Sequence, residues 1–463
     1  MTMREALIRT ALSALVFASL IPASSDAQSI ADRYRATTDR IIAAVLSDSA
    51  AYERVALLTD KFGHRLSGSA SLEQALDWII AEMTRDGLEN VRGEPVMVPR
   101  WVRGNESATL MEPRSLALHM LGLGGSIATP AEGITAPVLV VESFDELTAK
   151  GDQARGRIVL FDVPFTNYGA TVQYRSRGAV EAAKLGAVAV LIRSVASNSM
   201  QSPHTGAMRY DTAVTAIPAA ALSVEDAAML HRMHARGERV VVTLKMEAKT
   251  HPDAMSRNVV AELVGREKPD EIVVLGGHID SWDVGQGAMD DAGGSVAAWE
   301  VVRVLKRLGL RPRRTIRVVL WTNEENGLRG ATAYRDAHAA ELPTHVLAME
   351  SDGGVFAPEG FNVDGSDATV AMMTGLAPLL ESIGATSMQA GGAGADVGPL
   401  TAAGVPGLGL NVDGTRYFWY HHSEADTMDK LDQREVAQCV AAMAVMAYVM
   451  AEMPETLPRR APR

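Results

Sequence analysis

Three apolar runs of strand length, each ending in residues that ligate metals, constrain this chain more than anything else in its sequence. Glu271–Gly276 (EIVVLG) leads into His278-Ile279-Asp280, Thr315–Trp321 (TIRVVLW) into Glu324-Glu325, and His345–Met349 (HVLAM) into Asp352. Runs that are mostly apolar, rather than strictly alternating, suit strands buried on both faces of a parallel sheet. Gly294–Leu308 reads as a helix between the first two. Strands alternating with helices predict an α/β domain with a mostly parallel sheet flanked by helices. Ligand sites in such sheets lie at the carboxyl ends of the strands. His278, Asp280, Glu324, Glu325 and Asp352 are therefore expected to meet along one edge.

Two further stretches carry the same residue types. Gly287–Gly294 is a Gly-rich loop holding Asp290 and Asp291, and His421-His422-Ser423-Glu424-Ala425-Asp426-Thr427 lies near the end of the chain. Imidazole and carboxylate donors without thiolates suit a catalytic rather than a structural zinc site. Two His and three carboxylates build two sites if one carboxylate bridges. Ions in such a pair sit ~3.5–4 Å apart and bring the hydroxide between them within reach of neutral pH. One further carboxylate is needed as general base. Glu324 and Glu325 meet that need, because neighbours at a strand end point in different directions: one can ligate while the other faces the substrate. Asp280, two residues from His278, can hold the second imidazole nitrogen. Each motif alone is weak: adjacent Glu residues usually belong to a solvated loop, and Asp-Asp before a Gly-rich turn is often turn chemistry. Their conjunction in one chain carries the reading. On the residues alone, Asp291 competes with Asp290 as the bridge, and His421 with His422 as a ligand.

Gly277 through Asp291, Trp321 through Glu325, Met349 through Asp352, and His421-His422-Ser423 with Asp426-Thr427-Met428 closely resemble the M28 family of co-catalytic zinc peptidases, and within it a carboxypeptidase branch. The resemblance spans nearly all of the mature chain. It implies a zinc-peptidase fold and two Zn2+ per chain. His278 and Asp352 would bind one zinc, Glu325 and His422 the other, and Asp290 would bridge them. Glu324 would be the general base and Asp280 the support of His278. Motif alignment favours Asp290 over Asp291, and the position directly before Ser423 favours His422. A cis peptide between Asp290 and Asp291 is also implied. The expected activity is that of a secreted exopeptidase acting on short peptides, dipeptidase or carboxypeptidase in character, with aminopeptidase as the alternative. A non-catalytic binding protein on the same fold would have lost ligands that are all present here. A one-zinc relative that cyclises N-terminal glutamine fits the intact bridge poorly. The resemblance also makes a homodimer plausible. Glu424 stands where the branch commonly has His, and Asn323 where it has Ala. Glu424 adds negative charge near the expected site mouth and is expected to attract a substrate ammonium.

A chain of 463 residues exceeds one ordinary domain. Arg4 and Arg9, the apolar run Ala11–Ile21 and the small residues before Gln28 predict a signal peptide over 1–27. The catalytic domain is expected over 28–115 and 250–463. A β-rich insert over 116–249, with Gly156–Leu160 and Gly186–Ile192, resembles the protease-associated domain. His231 and His234 lie in this insert with no carboxylate nearby in sequence, so no metal site is expected there. Ser71 is the expected cap of a helix carrying Leu72, Ala75, Leu76 and Ile79 on one face. The formal net charge of −12 argues against nucleic acid or anionic membranes as partners. Val436–Met453 is strongly apolar, but Gln438 and its many Ala residues suit a core helix rather than a membrane span. Cys439 is the single cysteine, so no intrachain disulfide is possible and a cysteine hydrolase is excluded as a reading. A phosphine reductant is therefore expected to leave the thermal unfolding midpoint unchanged, as differential scanning fluorimetry would read directly.

Overall fold

The structure is a computed structural model that describes residues 30–462. The signal-peptide reading of 1–27 lies outside the described residues. An eight-stranded mixed sheet forms the larger unit. Its strands run in the order Glu89–Val102, Lys249–Leu263, Arg314–Trp321, Lys268–His278, His345–Glu350, Gly407–Val412, Pro358–Asp364 and Ser387–Ala390. The middle four are mutually parallel, and the pairs at Glu89–Val102 and around Pro358–Asp364 supply the antiparallel members. His278 pairs with Trp321, and Gly276 with Glu350. The carboxyl ends of the central strands thus lie side by side.

Both faces of this sheet are covered. Val273, Leu275, Val318 and Met349 face a core shared with helices Ile30–Leu46, Ala50–Phe62, Gly293–Arg307 and Gln433–Glu452. Ile272, Val274, Val319 and Ala348 face the opposite core, with Tyr334 and Leu400. The period-2 alternation of a strand divides one apolar run between two cores, which is why these runs show no polar alternation. The apolar helix Gln433–Glu452 is buried from Val436 to Ala451 except for Gln438, as expected of a core helix. Cys439 is buried within it, and its thiol donates to the Phe356 carbonyl.

Glu89–Val102 and Lys249–Leu263 pair antiparallel as far as Val102 and Lys249, where both leave the sheet. Between those points the chain builds a second eight-stranded sheet that includes Glu106–Glu112. That strand precedes the boundary at 116 read from sequence, because the polar residues Glu106 and Ser107 conceal its start. Helices Tyr168–Lys184 and Val224–Ala235 pack on this sheet, so the insert is α/β rather than simply β-rich. His231 does have a carboxylate partner: its Nδ1 lies 2.7 Å from Asp162 Oδ2, a pairing across 69 residues that sequence proximity could not show. The helix expected to start at Ser71 is capped instead by Ser69, whose hydroxyl accepts from Leu72 N–H. Ser71 Oγ turns back to the His64 carbonyl.

One buried cation ties the Gly63–Ser69 loop to the loop that follows His278. The fully buried Arg65 guanidinium donates to the carbonyls of Gly63, Ile279, Gln286 and Gly287 at 2.8–2.9 Å. Burial pulls its pKa down to about 10, while Asp426 and Asp280 act to raise it. Replacing it strands several carbonyls in a dry interior, each at a cost of about 1–3 kcal/mol. Arg65→Met is therefore expected to lower unfolding free energy by about 3 kcal/mol or more, measured by urea titration.

Candidate metal centre

The carboxyl ends of the central strands deliver the expected residues to one place. His278 closes its strand. Its Nδ1–H donates to the Asp280 backbone carbonyl at 2.9 Å, and its Nε2 lies 3.1 Å from Asp290 Oδ1 and 3.2 Å from Asp352 Oδ1. His422 Nε2 lies 3.0 Å from Glu325 Oε2 and 3.4 Å from Asp290 Oδ2. The Arg175 guanidinium stands at the Nδ1 side of the His422 ring, which leaves Nε2 to face the carboxylates. The two imidazoles turn Nε2 toward opposite oxygens of one carboxylate, Asp290. The peptide bond between Asp290 and Asp291 is cis.

Asp291 takes a different part from Asp290: its oxygens accept the backbone N–H groups of His278 and Gly294. His421 lies near the same cluster, with Nε2 3.7 Å from Asp290 Oδ2 and its ring stacked on His422 at 3.5 Å between centroids. Asp280 differs from the sequence expectation in its atoms. Its carbonyl, not its carboxylate, meets His278 Nδ1, and the nearer carboxylate oxygen stands 3.8 Å away. The carboxylate accepts instead from Glu324 N–H and Ser67 Oγ, fixing the Glu324-Glu325 turn. Glu324 is half-buried, and its carboxyl makes no hydrogen bond among the described residues. Glu424 is exposed and does not line the cavity beside the cluster.

The charge balance calls for cations. Burial raises Asp290, and burial with the Asp290 charge raises Glu325 well above the carboxylate range. Burial, helped by Asp352, pushes Glu324 to about 8. Burial would depress His278, but its bonds to Asp290 and Asp352 lift it well above the ordinary value. A proton on His278 here stands where a cation would. Asp290 Oδ2 is buried with no hydrogen-bond partner among the described residues. The groups His278–Asp290–Asp352 and Asp290–His421–His422 each gather one donor atom per residue within 4.8 Å. Nitrogen and oxygen donors in this number fit zinc.

Asp426 and Arg175 complete the surroundings. Asp426 accepts the N–H groups of Ala288, Met289 and Asp290, holding the turn that presents Asp290. Arg175 comes from the insert's helix Tyr168–Lys184, and its guanidinium stands 3.3 Å from His422 Nδ1. Nothing in the sequence marks one arginine among many for this place. A cavity of about 590 Å³ beside the cluster is also lined by Arg175, Tyr168, Tyr417, Glu350 and the Gly392–Ala395 loop.

The profile of Peptidase family M28 matches residues 258–447. Bovine carboxypeptidase Q (Bos taurus) is 52% identical over 408 residues, which covers 88% of this chain and 86% of that protein. The chain belongs to peptidase family M28. It is a metallopeptidase, and of the exopeptidase kind. A peptidase M28 precursor from Shewanella amazonensis SB2B superposes with a TM-score of 0.90 at 38% identity, covering 93% of this chain and 100% of that one. A zinc aminopeptidase from Bacillus subtilis shares the fold at a TM-score of 0.66 and 22% identity, over 88% of this chain and 96% of that one.

Because the cluster carboxyls sit high without cations, metal binding must displace protons, and affinity falls as pH falls. Calorimetric titration of zinc in two buffers of different ionisation enthalpy is expected to show net proton release. Chelation is expected to lower the thermal midpoint and zinc to restore it, with the restoration reduced in Asp290→Asn.

Proposed function

We propose that this metallopeptidase is a two-zinc exopeptidase that hydrolyses short peptides with free termini, dipeptides above all. His278 and Asp352 would hold one ion, Glu325 and His422 the other, and Asp290 would lie between them. Two zinc ions at these positions would supply Lewis-acid polarisation of the scissile carbonyl and activation of the attacking water. The chain's own residues do the rest. Glu324 takes the proton of that water at its carboxylate and passes it to the leaving amine, a role that requires a carboxyl free of other partners. Burial gives it a raised pKa, which nearby cations lower toward the working pH. Asp280 holds the Glu324 backbone, and Asp426 holds that of Asp290.

Arg175 carries the choice of substrate. Its guanidinium lines the cavity next to His422, and its Nε is buried without a hydrogen-bond partner among the described residues. A planar cation here suits a free carboxylate one residue beyond the scissile carbonyl. The insert that supplies it also narrows the approach, which favours short peptides. We identify that insert with the protease-associated domain. The residues before Gln28 and the precursor status of the Shewanella relative support a protein secreted to the periplasm or the medium.

The test is hydrolysis of unblocked dipeptides, dipeptide amides and aminoacyl-anilides by zinc-loaded protein. Unblocked dipeptides are expected to be cleaved best, with kcat down at least about 1000-fold in Glu324→Ala. Arg175→Leu is expected to raise KM for free-carboxylate dipeptides by roughly tenfold or more while sparing the amides. Good anilide cleavage unaffected by Arg175→Leu would make the enzyme an aminopeptidase.

A further inference from the structure

The wall of the same cavity holds a second charged device that the metal centre does not use. Glu350 is the last residue of the strand that leads into Asp352, and it lines the cavity. Asp396 lies behind it, close enough for the Glu350 charge to act on it. Both side chains are at most 1% exposed. Glu350 Oε2 accepts from Val397 N–H at 2.7 Å. Glu350 Oε1 and both Asp396 oxygens have no hydrogen-bond partner among the described residues. Two carboxyl groups buried together with three open acceptor atoms are costly to keep without a positive partner.

The surrounding chain packs small residues directly against that carboxyl at the cavity wall. Gly394 has φ +133, and a Cβ there would stand 2.2–2.6 Å from the Glu350 carboxyl atoms. Gly409, which pairs with Glu350 across the sheet, would bring a Cβ to 2.8 Å from the Ala393 carbonyl. The segment Gly391-Gly392-Ala393-Gly394 thus stays without bulk beside the carboxyl. Among the described residues, Arg175 is the one Lys or Arg side chain lining this cavity, and it stands beside His422.

We propose that Glu350, backed by Asp396, is the subsite for an ammonium group of the substrate. This rests on the exopeptidase reading and deepens it. The cavity then reads both charges of a zwitterionic peptide, with Arg175 and Glu350 engaging opposite termini. An ammonium can donate to the unpartnered Glu350 Oε1 and offsets the charge of the buried pair. The shared chemistry is a primary alkylammonium, supplied by the α-amine or by a lysine side chain. The exposed Glu424 has no part in it.

The test compares zinc-loaded wild type with Glu350→Gln and Asp396→Asn, isosteric changes that keep the volume. Substrates are Gly-Leu with its N-acetyl form, and N-acetyl-Lys-Leu with N-acetyl-norleucyl-Leu. Wild type is expected to favour the ammonium member of at least one pair. Glu350→Gln is expected to erase that preference by raising KM roughly tenfold or more, with the neutral member unchanged. Loss in the first pair assigns the α-amine, and loss in the second the lysine side chain. An unchanged preference in Glu350→Gln overturns the proposal while leaving the exopeptidase reading intact. Binding of n-butylammonium, followed by ligand-observed NMR, needs no turnover. It is expected to weaken at least about tenfold in Glu350→Gln, and equal binding would overturn the subsite even if no peptide were cleaved.

Discussion

Everything in this site turns on one buried carboxylate held between two imidazoles. Asp290 presents Oδ1 to His278 and Oδ2 to His422, and Oδ2 has no hydrogen-bond partner among the described residues. A charge in that position requires compensation, and the neighbouring carboxylates only deepen the need. The backbone around it is fixed in advance. Asp426 gathers the N–H groups of Ala288, Met289 and Asp290, Asp291 accepts the N–H of His278, and Arg65 holds the loop between. Such preorganisation means that ligand geometry is set by folding rather than by the metal.

The insert completes the site as much as it covers it. Thr205 N–H donates to the His422 carbonyl at 2.9 Å, and the His204 imidazole meets the His421 carbonyl at 2.5 Å. His422 has φ +60, a left-handed conformation that a non-glycine residue holds only when its surroundings over-determine it. Arg103 of the insert pairs bidentately with Asp283, and Trp282 packs where Gly124 leaves room for its ring. His422, from the last quarter of the chain, is thus held by a segment from the second. The candidate cluster and Arg175 meet at one interface, because Arg175 reaches the cavity through it.

Much of this was legible in the sequence. The mostly apolar runs gave the central strands to within a few residues, since burial on both faces leaves no place for polar alternation. Polar residues just past those runs had to fall on one edge, and His278, Glu324, Glu325 and Asp352 do. The atoms were not legible. Asp280 lies two residues from His278, yet its carbonyl serves the imidazole while its carboxylate serves Glu324, a choice made by the loop's backbone path. Ser69 rather than Ser71 caps its helix for the same kind of reason: one residue pair shares a turn, and the other faces His64.

The sequence by itself determined the fold class and the set of donor types, because hydrophobic periodicity and ligand chemistry are local properties written along the chain. Only the tertiary structure decided which oxygen of Asp290 faces which imidazole, that Asp162 partners His231, and that Arg175 and Glu350 share one cavity. Arg175 and Glu350 are 175 residues apart and sit in different sheets' surroundings, with no motif at either position. Their meeting depends on how the insert docks against the strand ends, and docking is a property of surfaces formed after both sheets have folded.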